Sequence, residues 1–293
     1  MAACYSLGLI GYPLGHSLSP ALHQAALQAC GLEGSYQLFS IPPLPEGRQS
    51  LEALLQRLRQ ADLQGLNVTI PHKQAVLHLV DELTPVAQAI GAVNTLYLRR
   101  GQLIGDNTDA AGFLADLAYL PLSGERRALV LGAGGAACAV VYALLQDHWQ
   151  VHIAARRPEQ GTALAQSLSR VAQDAALTVS PLESSVLQKR TEKIHLIVNT
   201  TPLGMSPDTH SSPWPQDLPF PKEACLYDLV YNPAETALMQ LAQAAGLPVR
   251  GGLGMLVEQA IRSFELWTGQ RVAPSILYQG ISDFSLVNFR SKP

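Results

Sequence analysis

Between residues 127 and 137 the chain reads "RALVLGAGGAA", an apolar strand-like run that turns through glycines into a helix ending near Leu145. Gly132, Gly134 and Ala137 stand in G-x-G-x-x-G/A spacing, with Ala133, Gly135 and Ala136 completing the turn. Each small residue has a reason. The first glycine allows a tight turn, the second allows close approach of backbone to a pyrophosphate, and the helix N-terminus then offers free N–H groups to that anion. Strand, glycine turn and helix together predict a Rossmann-like dinucleotide-binding unit, with Gly132, Ala133, Gly134, Gly135 and Ala136 against the cofactor.

That unit is a restart. Upstream of it, "YSLGLIG", a helix from about Pro20 to Cys30, "YQLFSI", a helix near 50 to 60 and "GLNVTI" already alternate strand-like and helix-like periods. Alternation of this kind predicts a mainly parallel sheet covered by helices. After "VNTLYLRR", "QLIG" and a helix near 110 to 118, the pattern begins again. At 293 residues the chain exceeds what one hydrophobic core usually serves. Two α/β domains with a cleft between them are therefore expected: residues 1–109, completed by C-terminal helices over 253–293, and residues 110–252. The second domain continues through "QVHIAA", "IHLIVN" and "CLYDLVY", with helices at about 159–172 and 235–245. Six prolines between Pro202 and Pro221 read as a loop at the cleft or surface.

Composition narrows the partners. Apolar residues make up 47% and charged residues 15%, which suits buried parallel strands and excludes a disordered chain. A formal charge of −3 without long blocks of one sign excludes broad capture of nucleic acid or anionic lipid. Cys4, Cys30, Cys138 and Cys225 lie far apart, so neither a disulfide framework nor a metal site is expected, and reduced thiols suit a cytoplasmic protein. The N-terminus has no basic n-region, and no apolar run approaches the roughly 18 residues of a bilayer span. The expected partner is a small molecule. A homodimer is left open.

The end of the strand after the glycine turn selects the cofactor. An acid there would bond the ribose of NAD. Instead "HIAARRPEQ" supplies Ala155, Arg156 and Arg157, and two guanidinium groups suit a ribose 2′-phosphate, so NADP is expected.

Four polar clusters in the first half, "GHSLSP" (15–20), "NVTIPHK" (67–73), "GAVNT" (91–95) and "GDNTDA" (105–110), each follow or end a strand-like run. Ligands collect at carboxyl ends of strands in open α/β sheets. Hydroxyls, amides and a carboxylate from Ser17, Ser19, Asn67, Thr69, Asn94 and Asp109 suit a small polyol acid. By residue type alone Lys73 is a solvated loop lysine, Asp106 a turn acid, and Ser19 and Asp109 are helix N-caps. Asn67 and Asn199 are read as loop braces. His16 and His72 are read as outer or solvent-facing groups.

Taken in order and spacing, these motifs together with "GAGGAA" and "GGLGMLVEQA" (251–260) resemble the shikimate dehydrogenases of aromatic amino-acid biosynthesis over nearly the whole chain. The resemblance implies NADPH-dependent, reversible reduction of 3-dehydroshikimate to shikimate. It implies that Lys73 and Asp109 form the catalytic pair, and that Ser17, Ser19, Thr69, Asn94, Tyr231 and Gln259 bind substrate. Leu229 and Gly252 would line the nicotinamide. The chain departs from the family's Asn-Arg-Thr at the adenosine phosphate, having Ala155-Arg156-Arg157 there. Two other readings are kept: an NAD-dependent quinate/shikimate dehydrogenase, and a non-catalytic NADP-binding regulator on the same scaffold.

Overall fold

A computed structural model describes residues 4–290 other than 16, 173–175 and 192, so His16 lies outside the described residues. The chain divides into two compact units, one ending at Thr108 and resuming at Val257, the other running from Asp109 to Leu256.

The first unit is built from β1 (Cys4–Gly11), α1 (Ser19–Ala29), β2 (Glu33–Ser40), α2 (Arg48–Arg59), β3 (Gly65–Val68), β4 (Glu82–Leu83), α3 (Pro85–Ile90), β5 (Thr95–Arg99) and β6 (Gln102–Asp106). Its sheet runs β2-β1-β3-β5-β6-β4. β1 pairs in parallel with β2 and β3, and β4 with β6; β5 runs antiparallel to both β3 and β6. The antiparallel insert has a local cause. Arg100 and Gly101, at φ 53° and 78°, make a two-residue turn in the left-handed region, and so short a turn can only join antiparallel neighbours. Helix α2 buries Leu51, Leu54, Leu55 and Leu58, an i, i+3, i+4, i+7 stripe, against this sheet. Each such leucine contributes about 2 kcal/mol of burial.

The second unit comprises α4 (Asp109–Leu117), β7 (Arg127–Leu131), α5 (Gly135–Gln146), β8 (Gln150–Ala155), α6 (Pro158–Ser167), α7 (Ser169–Ala172), β9 (Leu177–Pro181), α8 (Ser184–Thr191), β10 (Leu196–Asn199), β11 (Cys225–Asp228), α9 (Ala237–Ala244) and β12 (Val249–Gly251). Its sheet is wholly parallel in the order β12-β11-β10-β7-β8-β9. This is the Rossmann order, with its switch point between β7 and β10. The central strands are buried on both faces, β10 at all four residues, and read as continuous apolar runs. Edge strands β9 and β12 are only half-buried and lack that signature. The predicted helix over 159–172 is broken at Leu168 into α6 and α7.

The proline-rich segment does more than cross a surface. Trp214 is buried in the core of the second unit, stacks on Phe220 at 4.5 Å and donates from Nε1 to the Leu218 carbonyl at 2.8 Å.

Two C-terminal helices follow, α10 (Leu253–Thr268) and α11 (Pro274–Arg290). In the first unit Trp267 of α10 lies on the backbone of Gly65, where a Cβ would come within 2.2 Å of the ring, and donates from Nε1 to the Leu96 carbonyl at 3.1 Å. Gly280 lets α11 pack on α1, since a Cβ there would sit 2.5 Å from that of Ala25.

Candidate active site

Strand directions bring the polar clusters, as far as they lie in the first unit, to one end of its sheet. Ser17 and Ser19 follow β1, while Thr69 and Lys73 follow its parallel neighbour β3. Antiparallel pairing of Asn67 with Thr95, and of Thr95 with Asp106, places the start of β5 and the end of β6 at that same edge.

Lys73 is half-buried in a tied turn. Its carbonyl accepts the Val93 N–H at 2.8 Å, and the preceding His72 N–H donates to Thr69 at 2.9 Å. His72 is buried rather than solvent-facing, with Nε2 2.7 Å from the Ile41 carbonyl; a carbonyl only accepts, so Nε2 carries the proton. Thr69 donates its N–H to Ile10 at 2.8 Å and packs its methyl over Gly11.

Ser19 does not cap a helix. It is the first residue of α1, Leu18 occupies the capping position in helical conformation, and no side chain makes a capping bond there. The Ser17 hydroxyl accepts the Ser19 N–H at 3.3 Å instead. With Leu18 already in helical conformation, the buried Ser19 lies inside the helix rather than at its cap.

A buried hydrogen-bond web holds Asn94. Its Oδ1 accepts from the Thr108 N–H at 2.8 Å and the Thr95 hydroxyl at 2.9 Å, and its Nδ2 donates to Thr108 Oγ1 at 3.0 Å. Asn67 is braced largely by side chains: Oδ1 accepts from Tyr36, and Nδ2 donates to the Asn94 carbonyl and to Ser263 Oγ at 3.0 Å. Gln259 is buried on α10, and its carbonyl accepts from Ser263 at 3.1 Å. Asp106 is a turn acid, accepting from Thr84 Oγ1 at 2.6 Å and from the Asn107 N–H at 2.7 Å.

Asp109 opens α4 in the second unit and is buried. Gly132, at φ 106°, donates its N–H to Ala154 at 2.8 Å. Gly134 is the N-cap of α5, and no atom lies within 4 Å of where a Cβ would stand at Gly134 or Gly135. The helix N-terminus is thus open, flanked by half-exposed Ala133 and Ala136. Ala155 ends β8 buried; Arg156 and Arg157 follow exposed, and neither guanidinium has an ion-pair partner among the described residues. These free N–H groups and cations fit a dinucleotide with an extra phosphate. Leu229, just beyond β11, lies against Gly252 so closely that a Cβ would fall 2.0 Å from its carbonyl oxygen. Tyr231 is half-buried, and burial pushes its hydroxyl pKa up.

One element of this half escaped the sequence reading. Thr200 and Thr201, after β10, lie against Gly132, with Thr200 Oγ1 2.8 Å from where its Cβ would be. Only the strand order, which makes β10 the neighbour of β7, reveals this wall.

Comparison with known proteins identifies the family. Family models described as the shikimate dehydrogenase substrate binding domain and the shikimate 5′-dehydrogenase C-terminal domain match residues 9–96 and 252–276. An NADP(+) shikimate dehydrogenase of Salinibacter ruber is 43% identical over 279 residues, covering 93% of this chain and 95% of that protein. The chain belongs to the shikimate dehydrogenase family. Among solved relatives, a shikimate 5-dehydrogenase of Thermus thermophilus in complex with NADP(H) and shikimate superposes with a TM-score of 0.83 at 40% identity, covering 95% of this chain and 99% of that one. A quinate dehydrogenase from Corynebacterium glutamicum in complex with NAD shares the fold at TM-score 0.85 and 30% identity, over 96% of this chain and 99% of that one.

Proposed function

We propose that this shikimate dehydrogenase-family chain reversibly reduces 3-dehydroshikimate to shikimate with NADPH, in aromatic amino-acid biosynthesis. The observation that carries the cofactor choice is the open glycine turn together with two arginines, Arg156 and Arg157, that have no ion-pair partner among the described residues. The first unit supplies most of the substrate contacts and the second the cofactor contacts.

The substrate ketone must gain a hydride at carbon and a proton at oxygen; NADPH, when bound, supplies the hydride. Lys73 stabilises the negative charge that develops on the oxygen and delivers the proton. Asp109 orients the lysine and the substrate hydroxyl. Ser17 and Ser19 bind the carboxylate, and Thr69, Asn94, Tyr231 and Gln259 fix the ring hydroxyls. Leu229 and Gly252 line the nicotinamide face. The described cysteines are free, which agrees with a reducing cytoplasmic setting.

An absorbance assay at 340 nm tests this reading, with shikimate and quinate each paired with NADP and with NAD. Turnover of shikimate with NADP is expected to dominate. Replacing Arg156 and Arg157 together by Ala should raise the KM for NADP far more than that for NAD. Equal effects on both cofactors would remove the arginines from the phosphate site, and preferred turnover of quinate with NAD would replace the proposal by the alternative activity.

A further inference from the structure

β10 and β11, adjacent at the switch-point side of the second sheet, end in register on Asn199 and Asp228. Both side chains are fully buried. The Asp228 carboxylate accepts from Asn199 Nδ2 at 2.8 Å and the Val230 N–H at 3.0 Å on one oxygen, and from the Thr236 hydroxyl at 2.7 Å on the other. It has no cationic partner among the described residues, and burial pushes its pKa up. A charge taken from water and held by neutral donors alone is costly, so packing does not account for it.

Its partners share a destination. Asn199 Oδ1 accepts from the Thr201 N–H at 2.9 Å and the Thr201 hydroxyl at 2.7 Å, which folds the loop after β10 over Gly132. The Asn199 carbonyl accepts the Leu229 N–H at 3.0 Å, and the Val230 carbonyl accepts the Gly252 N–H at 3.1 Å. One carboxylate therefore joins the wall of the glycine turn to the Leu229–Gly252 contact.

We propose that Asp228 is a positioning residue for the cofactor: through Asn199, Val230 and Thr236 it locks the loops after β10 and β11 in the arrangement that receives the nicotinamide end of NADP. This rests on the cofactor half of the proposed function. The carboxylate touches neither substrate nor reacting atoms in this role; it acts through backbone placement.

The test is calorimetric binding of NADP to the full chain, with shikimate binding measured separately in the absence of cofactor. Asp228→Ala, which deletes all three acceptor contacts, should weaken NADP binding by about tenfold or more, since misplacement alone costs this much, and weaken shikimate binding by much less, because of the proposed substrate contacts only Tyr231 sits on the loops it ties. Asp228→Asn should recover most of the affinity, because its oxygen still accepts from Asn199 and Val230 while its amide donates to the Thr236 hydroxyl. A folded Asp228→Ala variant with parental NADP affinity overturns the proposal. Where Asp228→Ala does not fold, Asn199→Ala, which cuts only the tie to the loop after β10, decides by the same criterion. A parent chain that binds no NADP overturns the proposed function and this inference together, whereas parental binding with unaffected variants overturns the inference alone.

Discussion

Lys73 shows what a residue's type does and does not disclose. A lone lysine in a loop is usually solvated, yet here the backbone on both sides is tied by Val93 and by the Thr69 turn, so the ammonium is presented from a fixed base. Lys73→Met, which keeps length and loses charge, should lower kcat by roughly 10² to 10⁴. The KM for shikimate should move far less, since a proton-transfer group acts mainly in the transition state. Asp109→Asn should be similarly damaging, and the double variant much less so than the product of the two single effects. Steady-state kinetics beside a circular dichroism spectrum check this; a folded Lys73→Met chain with parental kcat returns Lys73 to the loop lysines. Asn94 and Asn67 were readable as polar and clustered. Their partners across the fold, Thr108 for Asn94 and Ser263 for Asn67, lie 14 and 196 residues away and were not.

Among the elements, the start of α10 sets local propensity against packing. Gly254 is helical, and by propensity alone Gly→Ala should stabilise by about 1 kcal/mol. A Cβ there would lie 1.9 Å from Oδ1 of the buried Asp116. That carboxylate is fully engaged: Tyr227 donates to it at 2.6 Å, Arg250 Nε donates at 2.8 Å, and a second Arg250 nitrogen reaches the other oxygen. Displacing it disrupts a buried ion pair, so Gly254→Ala is expected to destabilise by about 3 kcal/mol instead. Urea unfolding reads the sign directly, and a stabilised variant would show that α10 can move aside. The same steric logic explains the run "GGLG" without appeal to turn geometry: Gly252 is held by Leu229 and Gly254 by Asp116.

At the scale of the whole molecule, stability should carry a pH dependence to which one buried side chain contributes. His23 is buried and stacked on Tyr36 at 4.4 Å, neither ring nitrogen makes a hydrogen bond of good geometry among the described residues, and burial, opposed only weakly by nearby Asn67, lowers its pKa to about 3. The unfolded chain takes up this proton near pH 6.5, so between about pH 6.5 and 3 the unfolded state binds more protons. Stability from this group is complete above that window and is lost as the pH falls through it, by about 1.4 kcal/mol per pH unit. His23→Phe keeps a flat ring for the stack and removes the titration, so its stability should decline less steeply between pH 6 and pH 5. Chemical denaturation of both proteins at the two pH values checks this, and parallel declines would assign acid sensitivity to other groups.

The sequence by itself determined the local and periodic features. The glycine turn, the parallel strands buried on both faces, the helix stripes and the cations at the end of β8 are each written within about 20 contiguous residues, where sterics and periodicity act. Half-buried edge strands β9 and β12 and the capping state of Ser19 were beyond that range, because burial and a neighbouring residue's backbone, not local pattern, decide them. Tertiary structure alone decided which strands are neighbours, and with that which polar groups meet. The Asn199–Asp228 pair exists because β10 and β11 align in register, and Asn67 meets Ser263 only because α10 packs back on the first sheet. Hydrogen bonds between residues so far apart in sequence are fixed by the free energy of packing whole elements, and no short stretch of chain encodes that sum.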